Sequence, residues 1–560
     1  MTMLERRAFL RGSALAGASV LVPSPAAAAK VPRSLRTISI FHTTDLHGHI
    51  RPTRTYGGIT NVGGLARCAA QIRQWRRESP HSLLLDIGDV YQGTPEGWMT
   101  RGRLMIDLFN QLKYDGWVIG NHEFDWGPEV VLDAVSRSTM PILTGNMMLE
   151  GKAAGSFKDS THPLARIVPH IVKSVGGFRI GVLGLTTPGL PYWLRPELLN
   201  GFEVTDPVEV MAASLKFLRE EAKVDAVIAC GHMGLRAEDD YANRVQALLD
   251  LEDGPDVYLA GHTHRDFSSR MVGRTLYTQA DYFGIHCGRV DLSFDMESRR
   301  LLEKRAFTIL MDERIPEDPL VLETAAKDLE DARLYLSKEM GELQFDLSNQ
   351  RPGPGAGSPL QILLAASLLH AALKHDLKPD GVFHGTFGTG TLKSGKKTIA
   401  DAWEVLPYDN RLVALYLTRA ELVGVLNESL EGTSDRALFG FKVEVVGSEA
   451  GKGQKRGSNF VQSLTPLRSP EPRPADHRYC IVVNAYDAQS GGRRLMRLRA
   501  LVERPECKAS LIPASSRQAL IDFFADRKVV RIGDLLPTQP DSSRPVPKEP
   551  APQPSGSTPS

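Results

Sequence analysis

Cysteine is scarce in this 560-residue chain. Cys68, Cys230, Cys287, Cys480 and Cys507 are scattered, odd in number and never in CxxC spacing. That pattern speaks against zinc ribbons and a dense disulfide framework, and leaves room for one or two bridges in an oxidising compartment. Net charge is nearly absent too: 67 Lys and Arg face 66 Asp and Glu, a balance of +1. No nucleic-acid partner that relies on bulk positive charge is expected. Long apolar runs are missing. The longest at the N-terminus, Gly12–Val22, is too short and too rich in Gly and Ala to span a bilayer, so no stable membrane insertion is expected. Residues 537–560 hold eight prolines and no core-forming run, a composition expected to stay disordered.

What remains is globular: 42% hydrophobic and 24% charged, with a length that suggests more than one domain. The opening stretch "MTMLERRAFLRGSALAGASVLVPSPAAAAK" places Arg6-Arg7 before Phe9 and Leu10, then small apolar residues and Ala27-x-Ala29. It looks like a twin-arginine export signal over residues 1–29, with Lys30 as the mature start. The implied partner is the twin-arginine export machinery, and the implied location is periplasmic or extracellular. That route carries folded proteins, so a metal centre could be loaded before export.

From about residue 36 to 310, one pattern repeats: a short apolar run ends abruptly in polar residues, and a helical stretch follows. "RTISIFHTTD", "HSLLLDIGD", "YDGWVIGNHEFD", "DAVIACGHMG" and "PDVYLAGHTH" are such runs. The alternation predicts a layered α/β domain. Residues 318–340 are charged and helical in period, and read as a linker helix. A second composition block, 341–536, has helical "PLQILLAASLLHAALKH" and strand-like "RLVALYLT" and "RYCIVVNAY". Within it, residues 447–477 are rich in Gly, Ser, Pro and charge and read as a long loop.

The ends of the apolar runs collect metal-ligand side chains: Asp45, His47, Asp89, Asn121, His122, His232, His262 and His264. Strand ends in open α/β sheets face one crevice, so these groups should converge. In an extended segment residues i and i+2 point the same way, which would aim Asp45 with His47, and His262 with His264, into one cavity. Glycines beside nearly every one let the backbone crowd a ligand. Any one of these pieces alone is weak. Five runs all ending in oxygen or imidazole ligands are hard to explain structurally, because buried polar clusters need partners. Besides His122 there are seven candidate ligands, too many for one four-coordinate ion. Two divalent ions sharing a bridging Asp89 would use them. Asp45, Asp89 and a bridging hydroxide would leave residual positive charge suited to a phosphate ester, and a metal-bound water would be the nucleophile.

"FHTTDLHGHI", "DIGDVYQGT", "GNHEFDWG", "CGHMG" and "GHTH" together resemble the five motifs of calcineurin-like metallophosphoesterases. "GNHEFDWG" and the two-part layout resemble the 5'-nucleotidase / UDP-sugar hydrolase branch. The resemblance implies a four-layer α/β/β/α catalytic unit followed by a smaller α/β unit. It implies one metal on Asp45, His47, Asp89 and His264, and a second on Asp89, Asn121, His232 and His262. His122 would stand beside the ligands and contact the phosphoryl or leaving oxygen, with Asp125 orienting it and favouring its protonated form. Thr44 stands where relatives often have Asn. His42, His49 and His286 match no motif position, and ordinary structural roles are expected for them.

"TIADAWEVLPYDNRLVALYLTRAEL" resembles the family's C-terminal domain, which in nucleotidases supplies the substrate pocket. The chain departs from that pattern. "FHGTFGTGTLKSG" lacks the Arg of the usual Asn-Gly-Gly-x-Arg segment, and "NAYDAQSGGRRL" is a partial match. Arg411, Phe387 and Tyr486 are pocket candidates, with packing or surface roles equally open to each. The expectation is an exported dinuclear phosphoesterase acting on a small phosphate ester, a nucleotide or nucleotide sugar. The cofactors would be two divalent ions (manganese, zinc, iron or cobalt). Two alternatives stand: a thiosulfohydrolase-like sulfur-oxidation enzyme, and a non-catalytic surface binding protein on the same fold.

Overall fold

The computed structural model describes residues 34–156, 163–386, 391–431, 436–447, 459–468 and 472–535. Residues 1–29, read above as an export signal, Phe387 and the proline-rich stretch 537–560 lie outside the described residues.

The first unit is built on two face-to-face sheets. One has the order β13-β12-β1-β2-β3-β4-β5, formed by β1 (Leu35–Thr43), β2 (Ser82–Asp86), β3 (Gly116–Trp117), β4 (Ile142–Leu143), β5 (Ile167–Val168), β12 (His286–Asp295) and β13 (Leu301–Leu310). The other has the order β6-β7-β8-β9-β11-β10, formed by β6 (His170–Val175), β7 (Phe178–Leu185), β8 (Ala226–Gly231), β9 (Val257–Ala260), β10 (Asp266–Val272) and β11 (Thr275–Ala280). β1 to β5 are mutually parallel in the first sheet, and β7, β8, β9 and β11 in the second.

The central strands are apolar on both faces because both faces are covered. Ile38 and Ile40 of β1, Leu83 and Leu85 of β2, and Ile180 and Val182 of β7 meet in the core between the sheets. Their neighbours in sequence point the other way, as the two-residue period requires. Phe41 and Leu84 pack under α1 (Leu65–Glu78), α2 (Arg103–Leu112) and α3 (Pro128–Arg137). Leu183, Val227 and Ala229 pack under α4 (Pro207–Lys216). The result is a helix, sheet, sheet, helix stack of four layers.

α5 (Pro319–Leu336) starts where the Asp318 side chain accepts from the Leu320 and Val321 amides, with Pro319 at its first position. Its Val321 and Ala325 join the core of the first unit. The second unit is a five-stranded sheet of order β16-β14-β17-β15-β18, from β14 (Gly381–His384), β15 (Arg411–Thr418), β16 (Ala437–Phe439), β17 (Arg478–Asn484) and β18 (Ser510–Ser515). α6 (Pro359–Lys374), begun by a Ser358–Gln361 capping box, covers one face, and α7 (Arg419–Glu431) the other. The stretch 447–477 is not one long loop. Asn459–Pro466 pairs antiparallel with Phe441–Gly447, and its Val461 and Leu464 are buried in the core beneath α7. Polar and glycine content on either side of this strand masked its two inward apolar residues. All five cysteines are free and buried.

His42 has the ordinary structural role expected of it. It is fully buried in β1, neither ring nitrogen has a partner among the described residues, and burial pushes it down to about 3, so the ring is neutral. Gly288 of β12 makes room for it: a Cβ there would lie 2.0 Å from His42 Nε2. Gly288→Ala should therefore destabilise the first unit by about 1–3 kcal/mol through overpacking. The check is the urea midpoint, part of which should return when His42→Ala is added.

Candidate metal centre and cleft

Each ligand-type side chain stands just beyond a strand end. Asp45 and His47 follow β1, Asp89 follows β2, Asn121 and His122 follow β3, His232 follows β8, and His262 and His264 follow β9. Parallel strands put these ends on one edge of the sandwich, the crevice where α/β sheets bind ligands. The local conformation differs from the extended one that the i, i+2 spacing suggests. Asp45 (φ 49°), His47 (48°), Asp89 (55°), His262 (70°) and His264 (50°) are all left-handed. That region costs a non-glycine residue roughly 1–2 kcal/mol, and such strain clusters at functional sites. The pairs do converge, but through tight turns held by cross-loop bonds such as Asp45 N to Gly88 O at 2.9 Å and His47 N to Asp89 O at 2.9 Å. Gly120 must be glycine here, since a Cβ would sit 2.2 Å from Asp89 Oδ1.

The donor atoms fall into two groups that share Asp89. Asp45, His47, Asp89 and His264 each bring one atom within 4.8 Å of the others, and so do Asp89, His232 and His262. Asn121 Oδ1 lies 3.3 Å from His232 Nε2, so the amide joins the second group. His47 Nδ1 donates to the Gln92 carbonyl at 2.8 Å and His232 Nδ1 to the Ile87 carbonyl at 2.7 Å. A carbonyl only accepts, so each ring presents its Nε2 lone pair to the cluster. The His47 and His264 Nε2 atoms are 3.1 Å apart, and His264 Nε2 is 3.4 Å from Asp45 Oδ1.

Lone pairs and carboxylates packed this way, nearly all buried, fit divalent cations by their chemistry. Burial holds His47 and His262 down to about 3, neutral and ready to ligate. Burial also opposes charge on His232, but Asp89 at 3.1 Å and then Asp45 outweigh it and raise the group to about 10. Nε2 there faces the Asp89 carboxylate, where a proton and a metal cation would compete.

Positioning bonds surround the cluster. Thr44 Oγ1 donates to Asp45 Oδ2 at 2.5 Å, and the His262 amide donates to the same carboxylate at 3.0 Å. Glu123, which the motif spacing does not single out, is fully buried. Its carboxylate accepts from the amides of Asp89 at 3.0 Å, Val90 at 2.7 Å and Gly120 at 2.6 Å. It thereby fixes two ligand-bearing loops at once. Its signal was an acidic residue directly after Asn121-His122 in "GNHE". His49 donates to Leu46 O at 3.1 Å and His286 to Asp281 at 3.0 Å, away from the donor groups.

His122 sits at the mouth, about a quarter exposed, with Nδ1 donating to Asp125 Oδ2 at 2.7 Å. Burial works to lower it, but Asp125 and Asp89 prevail and raise it to about 9. Nε2 therefore offers a proton outward. From Asn121, His122 and His262 a cavity of about 550 Å³ runs to the second unit, lined by Trp193, Tyr241, Tyr408, Arg411, Tyr486 and Arg494 among others. Arg411 and Tyr486, two of the three pocket candidates, face it. The third, Phe387, lies outside the described residues. Tyr408, which lies in the "TIADAWEVLPYDN" stretch but was not singled out there, stacks on His122 at 5.6 Å between ring centres.

Residues 38–266 match the calcineurin-like phosphoesterase family. The snake venom 5'-nucleotidase of Naja atra is 30% identical over 328 residues, 54% of this chain and 59% of that protein. The chain spans about half the length of the curated relatives it matches. In three dimensions it is similar to a 5'-nucleotidase precursor from Thermus thermophilus, with TM-score 0.66, 23% identity and coverage of 89% of this chain and 97% of the other. It is also similar to a sulfate thiohydrolase from the same organism, with TM-score 0.59, 18% identity and coverage of 91% and 97%. Likenesses at such identities speak for the fold alone. The family match thus falls on the first unit, the part of the chain that carries the sheet-edge cluster.

Removing the Glu123 carboxylate leaves three buried amides without an acceptor, each costing about 1–3 kcal/mol. Glu123→Ala should lower the thermal midpoint and the metal content measured by mass spectrometry. Glu123→Gln, which keeps an acceptor oxygen, should lose less of both.

Proposed function

We propose that the chain is an exported hydrolase of small phosphate esters, with nucleotides or nucleotide sugars as substrates. The observation that carries this reading is the pair of donor groups sharing Asp89 beside the His122–Asp125 pair, at the head of a cavity with aromatic and arginine walls. Asp45, His47, Asp89 and His264 would hold one divalent ion, and Asp89, Asn121, His232 and His262 a second. The mixed carboxylate and imidazole set suits manganese, zinc, iron or cobalt. When bound, two such ions neutralise phosphate charge and lower the pKa of water.

The chain's own groups do the rest. Asp125 keeps His122 protonated, so its Nε2 donates to the phosphoryl or leaving oxygen as charge grows there. Arg411 adds positive charge further along the cavity. Tyr408 and Tyr486 offer ring faces on which a base can stack. Tyr408 over His122 and Trp193 over His262, at 5.0 Å, keep bulk water away from the reacting end. Residues 1–29 would direct export by the twin-arginine route. Among the described residues no helix is long and apolar enough to cross a membrane.

A sulfur-conjugate hydrolase is the second reading, supported by the likeness in fold to the sulfate thiohydrolase. A His–Asp proton donor facing the cleft favours phosphate esters over it. Purified protein with manganese should release phosphate from nucleoside monophosphates well above background. Release only from sulfur conjugates would move the assignment to the second reading, and turnover of neither would sink both. His122→Ala should lower kcat by roughly 10²–10⁴-fold with metal content intact. Asp125→Asn removes the charge that raises His122, so the fall in rate with rising pH should move to lower pH.

A further inference from the structure

Three of the ring ligands differ in how the nitrogen remote from the cluster is held. His47 and His232 each give Nδ1–H to a backbone carbonyl. His264 does not: its Nδ1 faces the Tyr56 hydroxyl at 3.2 Å. A phenol can donate or accept, so this contact alone does not fix which His264 nitrogen carries the proton. The direction depends on the next bond. The Tyr56 hydroxyl is also hydrogen-bonded to that of Tyr408, in the second unit. When Tyr56 gives its proton to Tyr408, it can only accept from His264 Nδ1–H. The His264 Nε2 lone pair is then left for the cluster.

Tyr56 is held where this relay needs it. Its ring stacks on Tyr282 at 4.5 Å, its amide donates to the Tyr282 hydroxyl at 2.9 Å, and it lies nearly parallel to the His264 ring at 12°. The segment that carries it also reaches the second unit through Arg54 and Glu404 at 3.0 Å. Yet Tyr56 is 63% exposed, so the fold has little need of its hydroxyl.

We propose that Tyr56 is a positioning residue that sets the metal-facing tautomer of His264 and ties it to the second unit through Tyr408. If Tyr408 withdraws, the freed Tyr56 hydroxyl can donate to His264 Nδ1 and favour the tautomer with Nε2 protonated, which cannot ligate. Seating of the second unit thus tunes the affinity of one of the two metal positions. This rests on the metal reading given above.

The test is calorimetric titration of Mn²⁺ into metal-free full-length protein. Wild type should take up two equivalents. Tyr56→Phe keeps the ring stack and should weaken one of the two binding events by about 10–100-fold, the usual loss when an outer partner of a metal ligand is removed. Tyr408→Phe should weaken the same event. The double variant should be no weaker than Tyr56→Phe, because Tyr408 acts only through the Tyr56 hydroxyl. Unchanged affinities in Tyr56→Phe, or losses that add in the double variant, would overturn the role of Tyr56. Uptake of no ion by wild type would instead defeat the metal reading itself.

Discussion

The Asp89 carboxylate is where two sets of buried donors meet, and the site depends on what it can hold together. One of its oxygens lies 3.1 Å from His232 Nε2 and 3.7 Å from His47 Nε2, while its other oxygen takes the His122 amide at 2.8 Å. Carboxylates and imidazole lone pairs removed from water are costly unless a cation answers them. Five of the donor residues accept left-handed backbone to reach that arrangement, and Glu123 uses its buried carboxylate to fix the loops. These local costs fall on one edge of an otherwise regular sandwich, as expected where function overrides local preference.

The two-sheet architecture makes the convergence possible. β1, β2 and β3 deliver Asp45, His47, Asp89, Asn121 and His122 from one sheet, and β8 and β9 deliver His232, His262 and His264 from the other. Because the sheets pack face to face, neither donor group belongs to one sheet alone. The second unit then walls one side of the cleft. Ser490 Oγ donates to Tyr192 O at 2.8 Å and Arg499 to Pro191 O at 3.1 Å, which seats Tyr408 and Tyr486 against the cleft.

Much of this was legible in the sequence. The short apolar runs Ile38, Ile40 and Phe41, and Leu83, Leu84 and Leu85, read directly as buried strands. The clustered donor side chains were legible because they end such runs. Their conformation was not: Asp-x-His reads as extended chain, and only the cross-loop bonds and positive φ values reveal the turns. Glu123 was hidden because an acidic residue beside a histidine has many ordinary uses. Tyr56 and Tyr408 were hidden for another reason. Their partners, His264 and His122, are hundreds of residues away in sequence, and no spacing rule connects positions so far apart. The strand Asn459–Pro466 was lost within a polar, glycine-rich stretch, where only Val461 and Leu464 carry the inward signal.

The shared carboxylate is the claim on which the rest stands. The most direct measurement is anomalous diffraction from crystals of the full chain grown with manganese. The account predicts two peaks, one on each side of the Asp89 carboxylate, the first among Asp45, His47 and His264 and the second among Asn121, His232 and His262. A single peak, or two that do not share Asp89, would contradict it.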